Sequence, residues 1–277
     1  MGPNKIDVNA AIPDAVLPGW ERMWSDPPAA YRPAPFWSWN DRLEPEELKK
    51  QIYAMRDAGL GGFFMHARGG LRTPFQGEEW LGAVKAAIAA AAETGLRPWL
   101  YDENGWPSGF GDGRVNGHGP QFQQKILRFG KIAGRIADIP GLLALFDASG
   151  RWIAAEAAGS FASGDGLSAV WYELNPSYID VLDPAAVAAF LACGYEFYRE
   201  RLTSSEWRML AGFFTDEPQM AFAGIVWDPI LPELYRKAYG EELLPLLPEL
   251  FQADGNYRRT RFRFWALVTG RFAENYQ

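Results

Sequence analysis

The chain has 277 residues, of which 48% are hydrophobic and 22% charged, a composition that excludes the disordered and fibrous classes. Its 27 Lys and Arg against 34 Asp and Glu give a formal net charge of -7 without an extended basic cluster, which excludes a nucleic-acid partner. The single cysteine, Cys193, excludes an internal disulfide and a thiolate metal cluster.

Hydropathy along the chain indicates neither export nor membrane insertion. Residues 1–19 contain no continuous apolar stretch of signal-peptide length, and no later run approaches the roughly 20 apolar residues of a membrane span. The sequence therefore predicts a soluble, cytoplasmic protein without a membrane partner.

The N-terminal segment, residues 1–34, is rich in Pro and Ala, and its prolines predict an arm without regular structure laid over the domain that follows. The folded part is expected to span residues 35–277.

The first strand–helix unit begins at Pro35. Residues 35–40 are a short β-like run, and Glu44-Pro45 then opens a helix with proline at its first position and acidic residues in its first turn. The predicted buried face of this helix consists of Leu48, Ile52 and Met55, and Gly59 is predicted to end the helix.

The same unit repeats along the chain. Apolar strands are predicted at residues 62–67, 98–103 and 211–217. Helices are predicted over residues 78–94, with Leu81, Val84, Ile88 and Ala91 on one face, and over residues 184–202, with Asp183 as N-cap and Val187, Phe190, Leu191 and Tyr198 facing inward.

Strands that are apolar on both faces and alternate with helices indicate a parallel sheet covered by helices. A (β/α) TIM-type barrel is favoured over an open doubly wound sheet, because the glycine-rich segment 109–113 leads into no predicted helix. Only four strand–helix units are found, whereas a closed barrel needs eight. We therefore expect a fragment of a longer enzyme, or a half-barrel that self-associates through an exposed strand edge or its terminal helix.

Two segments depart from this repeat. Residues 114–178 change to short β-like pieces separated by turns, which predicts an antiparallel β insertion after the third strand. The pieces are residues 126–136, 142–146, 151–156 and 169–174. From Leu231 onward the pattern is helical, and it ends in a basic and aromatic helix over residues 257–276.

Ligands of parallel α/β folds bind at the carboxyl ends of the strands. The predicted substrate-binding residues at these ends are Trp37, Trp39, Asn40, His66, Arg68, Tyr101 and Trp106, and the predicted catalytic acids are Asp102, Glu103, Asp216 and Glu217.

The two Asp-Glu pairs are the sharpest chemical signal. Glycoside hydrolysis needs one protonated carboxyl for the leaving oxygen and one carboxylate that activates water or attacks the sugar. Alternatively, these acids cap helices or pair with Arg68, Arg72 or Arg97. His66 fits a hydrogen bond to a ligand or a buried structural role, and His118 is expected to be exposed without a role.

Several motifs resemble one enzyme family. They are Pro35-Phe-Trp-Ser-Trp-Asn40, Ala58-Gly-Leu-Gly-Gly62, Glu79-Trp80, Tyr101-Asp-Glu-Asn-Gly-Trp-Pro-Ser-Gly109 and Phe214-Thr-Asp-Glu-Pro218. In this order they resemble glycoside hydrolase family 106, the α-L-rhamnosidase type, and related large bacterial glycosidases. The resemblance implies a (β/α)8 barrel with a β insertion, and hydrolysis of a terminal glycoside by carboxylic acids among Asp102, Glu103, Asp216 and Glu217. It also leaves calcium open as a cofactor.

Family members are far longer than this chain, so the resemblance covers only the first half of their catalytic region. A non-catalytic carbohydrate-binding or scaffold protein is therefore an alternative prediction, and a barrel enzyme of unrelated chemistry, such as a carbohydrate lyase or isomerase, is a third.

Overall fold

The computed structural model describes residues 19–132, 135–153, 166–220 and 224–276. They divide into two compact units. The first unit comprises residues 19–66, 70–100 and 204–213, and the described remainder of the chain forms the second.

Four strands form a parallel sheet: β1 (Phe36–Trp39), β2 (Gly62–Ala67), β3 (Arg97–Asn104) and β8 (Gly212–Phe214). Their spatial order is β1-β2-β3-β8. Backbone hydrogen bonds join neighbouring strands near their N-terminal ends, since the Phe64 N–H donates to the Pro35 carbonyl at 3.0 Å and the Ala211 N–H to the Pro98 carbonyl at 2.8 Å. The predicted order is confirmed, including the adjacency of the third and fourth strands.

The first unit contains helices α1 (Trp20–Ser25), α2 (Pro45–Asp57), α3 (Glu78–Thr94) and α7 (Ser204–Met209). Proline at the first position and two acids in the first turn begin α2, as predicted. The bounds of α3 match the prediction because a left-handed glycine, Gly95 with φ +72°, ends the helix.

The N-terminal segment is more regular than predicted. Helix α1 and a 3-10 turn at Ala29–Tyr31 lie within it, on either side of Pro27-Pro28, so these prolines separate short helical pieces instead of preventing them. Residues 1–18 of the predicted arm lie outside the described part of the chain.

Tryptophans fill the core of the first unit. Trp39 is 1% exposed and packs edge-on against Trp80, with ring centroids 4.9 Å apart, while Trp37 packs against Phe63 at 5.3 Å. The buried Leu48 and Ile52 of α2 complete this apolar layer.

An antiparallel sheet of five strands forms the centre of the second unit. Its strands are β4 (Gln123–Lys131), β5 (Leu142–Phe146), β6 (Trp152–Ile153), β7 (Ser168–Ile179) and β9 (Val226–Trp227). Their spatial order is β6-β5-β7-β4-β9. Strands β4 and β7 pair along most of their length, with Leu127 opposite Tyr172 and a register shift between Gln123 and Gln124. The predicted β segment is thus confirmed in outline, although residues 154–156 lie outside the described range and Ile136 begins a 3-10 turn.

The chain after β8 does not continue the strand–helix repeat of a barrel within the described residues. Strand β9 pairs with β4, and the following helices pack on the antiparallel sheet, where Leu127, Val170, Trp227, Tyr235 and Phe264 share one buried core. Their apolar faces are therefore covered by the antiparallel sheet, and the parallel sheet that is described is open with four strands. These helices are α8 (Leu231–Tyr239), α9 (Pro248–Phe251) and α10 (Tyr257–Tyr276).

The predicted helix 184–202 is divided by a wider turn. Helix α5 (Pro184–Leu191), a π-helical turn (Ala192–Glu196) and helix α6 (Phe197–Arg201) follow one another without a break, and a four-residue helix, α4 (Arg114–Gly117), precedes β4. Asp183 caps α5 as predicted, its Oδ1 accepting from the Ala185 N–H at 2.8 Å. Phe190 and Tyr198 are buried, but Leu191 is 43% exposed, because the inward positions after Phe190 fall on Gly194 and Tyr198.

None of the helices in the described ranges combines the length and the hydrophobicity needed to cross a bilayer.

Candidate active site

Three side chains at the end of β3 are buried in the second unit. Tyr101, Asp102 and Glu103 are 1%, 3% and 1% exposed. Two carboxyl groups removed from water must be stabilised by hydrogen bonds, so their partners define what each acid does.

Both oxygens of Asp102 accept hydrogen bonds from hydroxyl groups. Ser108 Oγ donates to Oδ1 at 2.6 Å, and the Tyr195 hydroxyl, which lies in the π-helical turn, donates to Oδ2 at 2.9 Å. Burial raises the pKa of Asp102, while these two hydroxyl groups and Thr215 act in the opposite direction. Asp102 is therefore an internal carboxyl held in a fixed orientation.

Ser108 joins Asp102 to the chain after β8. Its Oγ accepts from the Asp216 N–H at 2.8 Å, and its own N–H donates to the Asp216 carbonyl at 2.8 Å. The serine is fully buried. A chain of hydrogen bonds thus runs from the Asp102 carboxyl through one hydroxyl group to the backbone of Asp216.

Glu103 has a different set of partners. Its Oε1 accepts from the N–H groups of Asn104 at 2.8 Å and Asp112 at 3.0 Å, and its Oε2 accepts from the Gly111 N–H at 2.7 Å. Burial raises its pKa, and the three backbone donors favour the ionised form. The carboxyl group of Glu103 therefore fixes the turn that precedes α4.

The backbone of Gly109 has no room for a side chain. Its φ is +115°, and a Cβ at this position would lie 2.3 Å from the Tyr178 hydroxyl oxygen. That hydroxyl donates to the Ser108 carbonyl and accepts from the Gln219 N–H at 2.6 Å. Tyr178 thus ties the segment after β3 to the segment after β8 a second time.

The two acids after β8 are more accessible. Asp216 is half-buried, with the Tyr101 hydroxyl 3.5 Å from its Oδ2, and Glu217 is exposed. Glu217 has a φ of +44°, a left-handed conformation that is strained for a non-glycine residue, and its carbonyl accepts from Gln219 Nε2 at 2.9 Å. The backbone strain at Glu217 is located beside the hydrogen-bonded connection to Asp102.

The fold resembles that of a known glycosidase. A rhamnosidase from Novosphingobium sp. PP1Y superposes with a TM-score of 0.61 and 14% sequence identity, over 94% of this chain and 46% of the other. This chain thus spans about half the length of that structure. Protein-family models and curated proteins give no match.

This likeness supports a glycosidase-like fold. The narrower assignment to glycoside hydrolase family 106 stays a prediction.

The other sequence-predicted site residues divide between the two units. In the first unit Asn40 is exposed, His66 is 4% exposed with its ring 5.3 Å from that of Phe36, and Trp37 and Trp39 belong to the core. In the second unit Arg68 is exposed and Trp106 is 48% exposed. That all of these residues line one concave surface stays a prediction.

Sequence reasoning missed three residues that organise the site: Ser108, Tyr178 and Tyr195. Ser108 stands within the quoted Tyr101–Gly109 motif, so its position was a usable signal. The two tyrosines contact Ser108 and Asp102 from 70 and 93 residues away, and no local pattern marks them. In the described ranges, no group of three or more His, Cys, Asp and Glu side chains is arranged to hold a metal ion.

Proposed function

We propose that the chain carries the acid-bearing part of a glycoside hydrolase acting on terminal sugars, with Asp216 and Glu217 as its reacting carboxyl groups. The observation that carries this proposal is the backbone of Glu217, an exposed acid held at a φ of +44° next to Asp216. Strained conformations persist where the surroundings enforce them, and they concentrate at active sites.

The hydrogen-bond partners support different roles for the four predicted acids. Asp102 and Glu103 are buried, and their oxygens are occupied by hydroxyl and backbone donors. Asp216 and Glu217 are open enough to meet a glycosidic oxygen and a water molecule. In this assignment one of the outer acids donates a proton to the leaving oxygen, and the other activates water or attacks the sugar.

The substrate class follows from the resemblance and from one aromatic side chain. Trp106 is 48% exposed, which leaves part of its ring available to the apolar face of a sugar. With the rhamnosidase-like fold, this supports a terminal deoxy sugar of the α-L-rhamnoside type as substrate. The four parallel strands would then supply half of a (β/α)8 barrel.

The test is hydrolysis of a panel of aryl glycosides that includes α-L-rhamnosides. Glu217→Gln and Asp216→Asn should each lower the rate by roughly 10²–10⁴-fold on substrates with poor leaving groups. Glu233→Gln, the same change at an exposed glutamate on α8, is the matched control and should leave the rate unchanged. Near-normal rates in both site variants of an active protein would overturn the assignment.

A non-catalytic carbohydrate-binding protein is the second candidate. It is favoured by the exposed ring of Trp106, which can pack on the apolar face of a sugar without any reaction of the acids. Sugar binding measured by calorimetry, without turnover of any aryl glycoside and with unchanged affinity in Glu217→Gln, would favour this candidate over the hydrolase.

A further inference from the structure

The last turn of α10 places a tyrosine hydroxyl inside the second unit. The hydroxyl oxygen of Tyr276 is buried and has no hydrogen-bond partner among the described residues. Its ring packs against Phe272, with centroids 4.9 Å apart, and against the cluster that contains Tyr178 and Tyr195. A buried hydroxyl group without a partner is costly, so this position requires an explanation.

Two side chains near the C-terminal end of α10 fix where the helix ends. Arg271 Nε donates to the Leu182 carbonyl at 3.1 Å, and Asn275 Nδ2 donates to the Val181 carbonyl at 3.0 Å. These bonds hold α10 against the connection between β7 and α5. The position of the Tyr276 ring is therefore set by the fold.

The ring of Tyr276 packs beside the groups that hold Asp102 and Ser108. It contacts the buried cluster that contains Tyr178, and Tyr195 packs against the same cluster. Burial raises the pKa of Tyr276 most, and Tyr178, Asp102 and Tyr195 raise it further, in agreement with this packing.

The neighbouring hydroxyl groups already have defined partners. Tyr195 donates to Asp102, and Tyr178 donates to the Ser108 carbonyl while accepting from the Gln219 N–H. A hydroxyl oxygen has two lone pairs, so Tyr178 keeps capacity for one further donor. A single water molecule, which makes about three hydrogen bonds when buried, satisfies a hydroxyl in this setting.

We propose that Tyr276 is a positioning residue, whose hydroxyl group binds one buried water molecule that joins it to the Tyr178–Tyr195–Asp102 network. The water site stands on the buried, unpartnered hydroxyl and on the packing of its ring against the cluster that contains Tyr178. Its role in positioning rests on the proposed function, because Asp102 acts through Ser108 on the backbone of Asp216.

The structural arm of the test is a high-resolution crystal structure of the protein and of Tyr276→Phe. An ordered water within hydrogen-bond distance of the Tyr276 hydroxyl and of the network is expected, and it should be lost in the variant. Because removing a satisfied hydroxyl destabilises, Tyr276→Phe should also lower Tm by about 2–4 °C. No ordered water at this position, or a Tm at or above that of the unmodified protein, would overturn the proposal.

Tyr235→Phe is the matched control. Its hydroxyl is also buried and unpartnered in the described structure, but it lies on α8 in the core under the antiparallel sheet. This variant should keep the water beside Tyr276.

The kinetic arm separates positioning from stability. In Tyr276→Phe, kcat should fall by about tenfold with KM unchanged, and it should stay at the unmodified value in Tyr235→Phe. An unchanged kcat in Tyr276→Phe would refute the positioning role even if the water is found. A protein that hydrolyses no glycoside refutes the proposed function, and the structural arm then decides the water site independently.

Discussion

Replacing Ser108 with alanine should destabilise the second unit strongly, although the change removes only one oxygen atom. The serine hydroxyl donates to the Asp102 carboxyl at 2.6 Å and accepts from the Asp216 N–H at 2.8 Å. Because Ser108 is fully buried, no bulk water is available to replace it.

The magnitude follows from the two groups that lose a partner. A hydrogen bond to a charged group contributes about 1.5–3 kcal/mol, and an unsatisfied buried N–H costs about 1–3 kcal/mol. Because Asp216 is only half-buried, the lower part of the second range applies. The free energy of unfolding should therefore fall by about 3–5 kcal/mol, a large part of the usual stability of about 5–15 kcal/mol.

Urea unfolding followed by tryptophan fluorescence measures this change as a shift of the midpoint at unchanged slope. Ser149→Ala is the matched control, since Ser149 Oγ makes the same type of bond to Asp147 at 2.5 Å on an exposed turn and should have little effect. In the Asp102→Asn/Ser108→Ala double variant the losses should be less than additive, because the residues share one bond. A loss for Ser108→Ala no larger than for Ser149→Ala would refute the reasoning.

Three further outcomes are expected. Gly109→Ala should cost about 2–4 kcal/mol, because the positive φ and the contact with the Tyr178 hydroxyl exclude a Cβ. Burial raises the pKa of Asp180 to about 6 despite its ion pair with Lys125 at 2.7 Å, so its contribution to stability is largest below about pH 4 and declines as pH rises through about 6. Self-association is expected through the outer face of α10, where Phe262 is 76% exposed, and Phe262→Glu should yield a monomer in light scattering.

Each of these outcomes has its own comparison. Gly117→Ala, at a glycine with open space around it, should be nearly neutral in the same unfolding assay, and an equal effect at both glycines would contradict the steric argument. The stability difference between the unmodified protein and Asp180→Asn should change between pH 4 and 7, and a constant difference would count against the raised pKa. If light scattering showed the unmodified protein to be a monomer, self-association would be excluded.

Local patterns were sufficient for the parallel sheet and its helices. The apolar run of residues 62–67 and the helix signals from Glu78 to Gly95 lie close together in the sequence, so propensity and capping predict them directly. The end of the parallel arrangement could not be predicted in the same way. It depends on the two-residue strand β9 pairing with β4 about 100 residues earlier, and so short a strand has no periodicity.

The candidate site shows the same limit. The closeness of Asp102 to the Asp216 backbone follows from two adjacent strand ends and was predicted. Which acid is internal and which is accessible was not, because that depends on Tyr195 and on the backbone donors at Gly111 and Asp112. Burial and hydrogen-bond partners are tertiary properties, and the sequence shows only that four acids are present.

The hydrogen bond between Tyr195 and Asp102 depends on the number of residues in the π-helical turn between α5 and α6. A π turn contains one residue more than an α-helical turn, and each residue of a helix corresponds to about 100° of rotation. Tyr195 lies inside this turn, so the extra residue determines which side chain faces the carboxyl group. A single-residue deletion between Ala192 and Glu196 would restore a continuous α-helix with the flanking segments in their present orientation, and it would change which side chain of this turn faces Asp102. The hydrogen-bond partner of Asp102 would thus change without a substitution of Asp102 or Tyr195, through the length of the turn that carries the tyrosine.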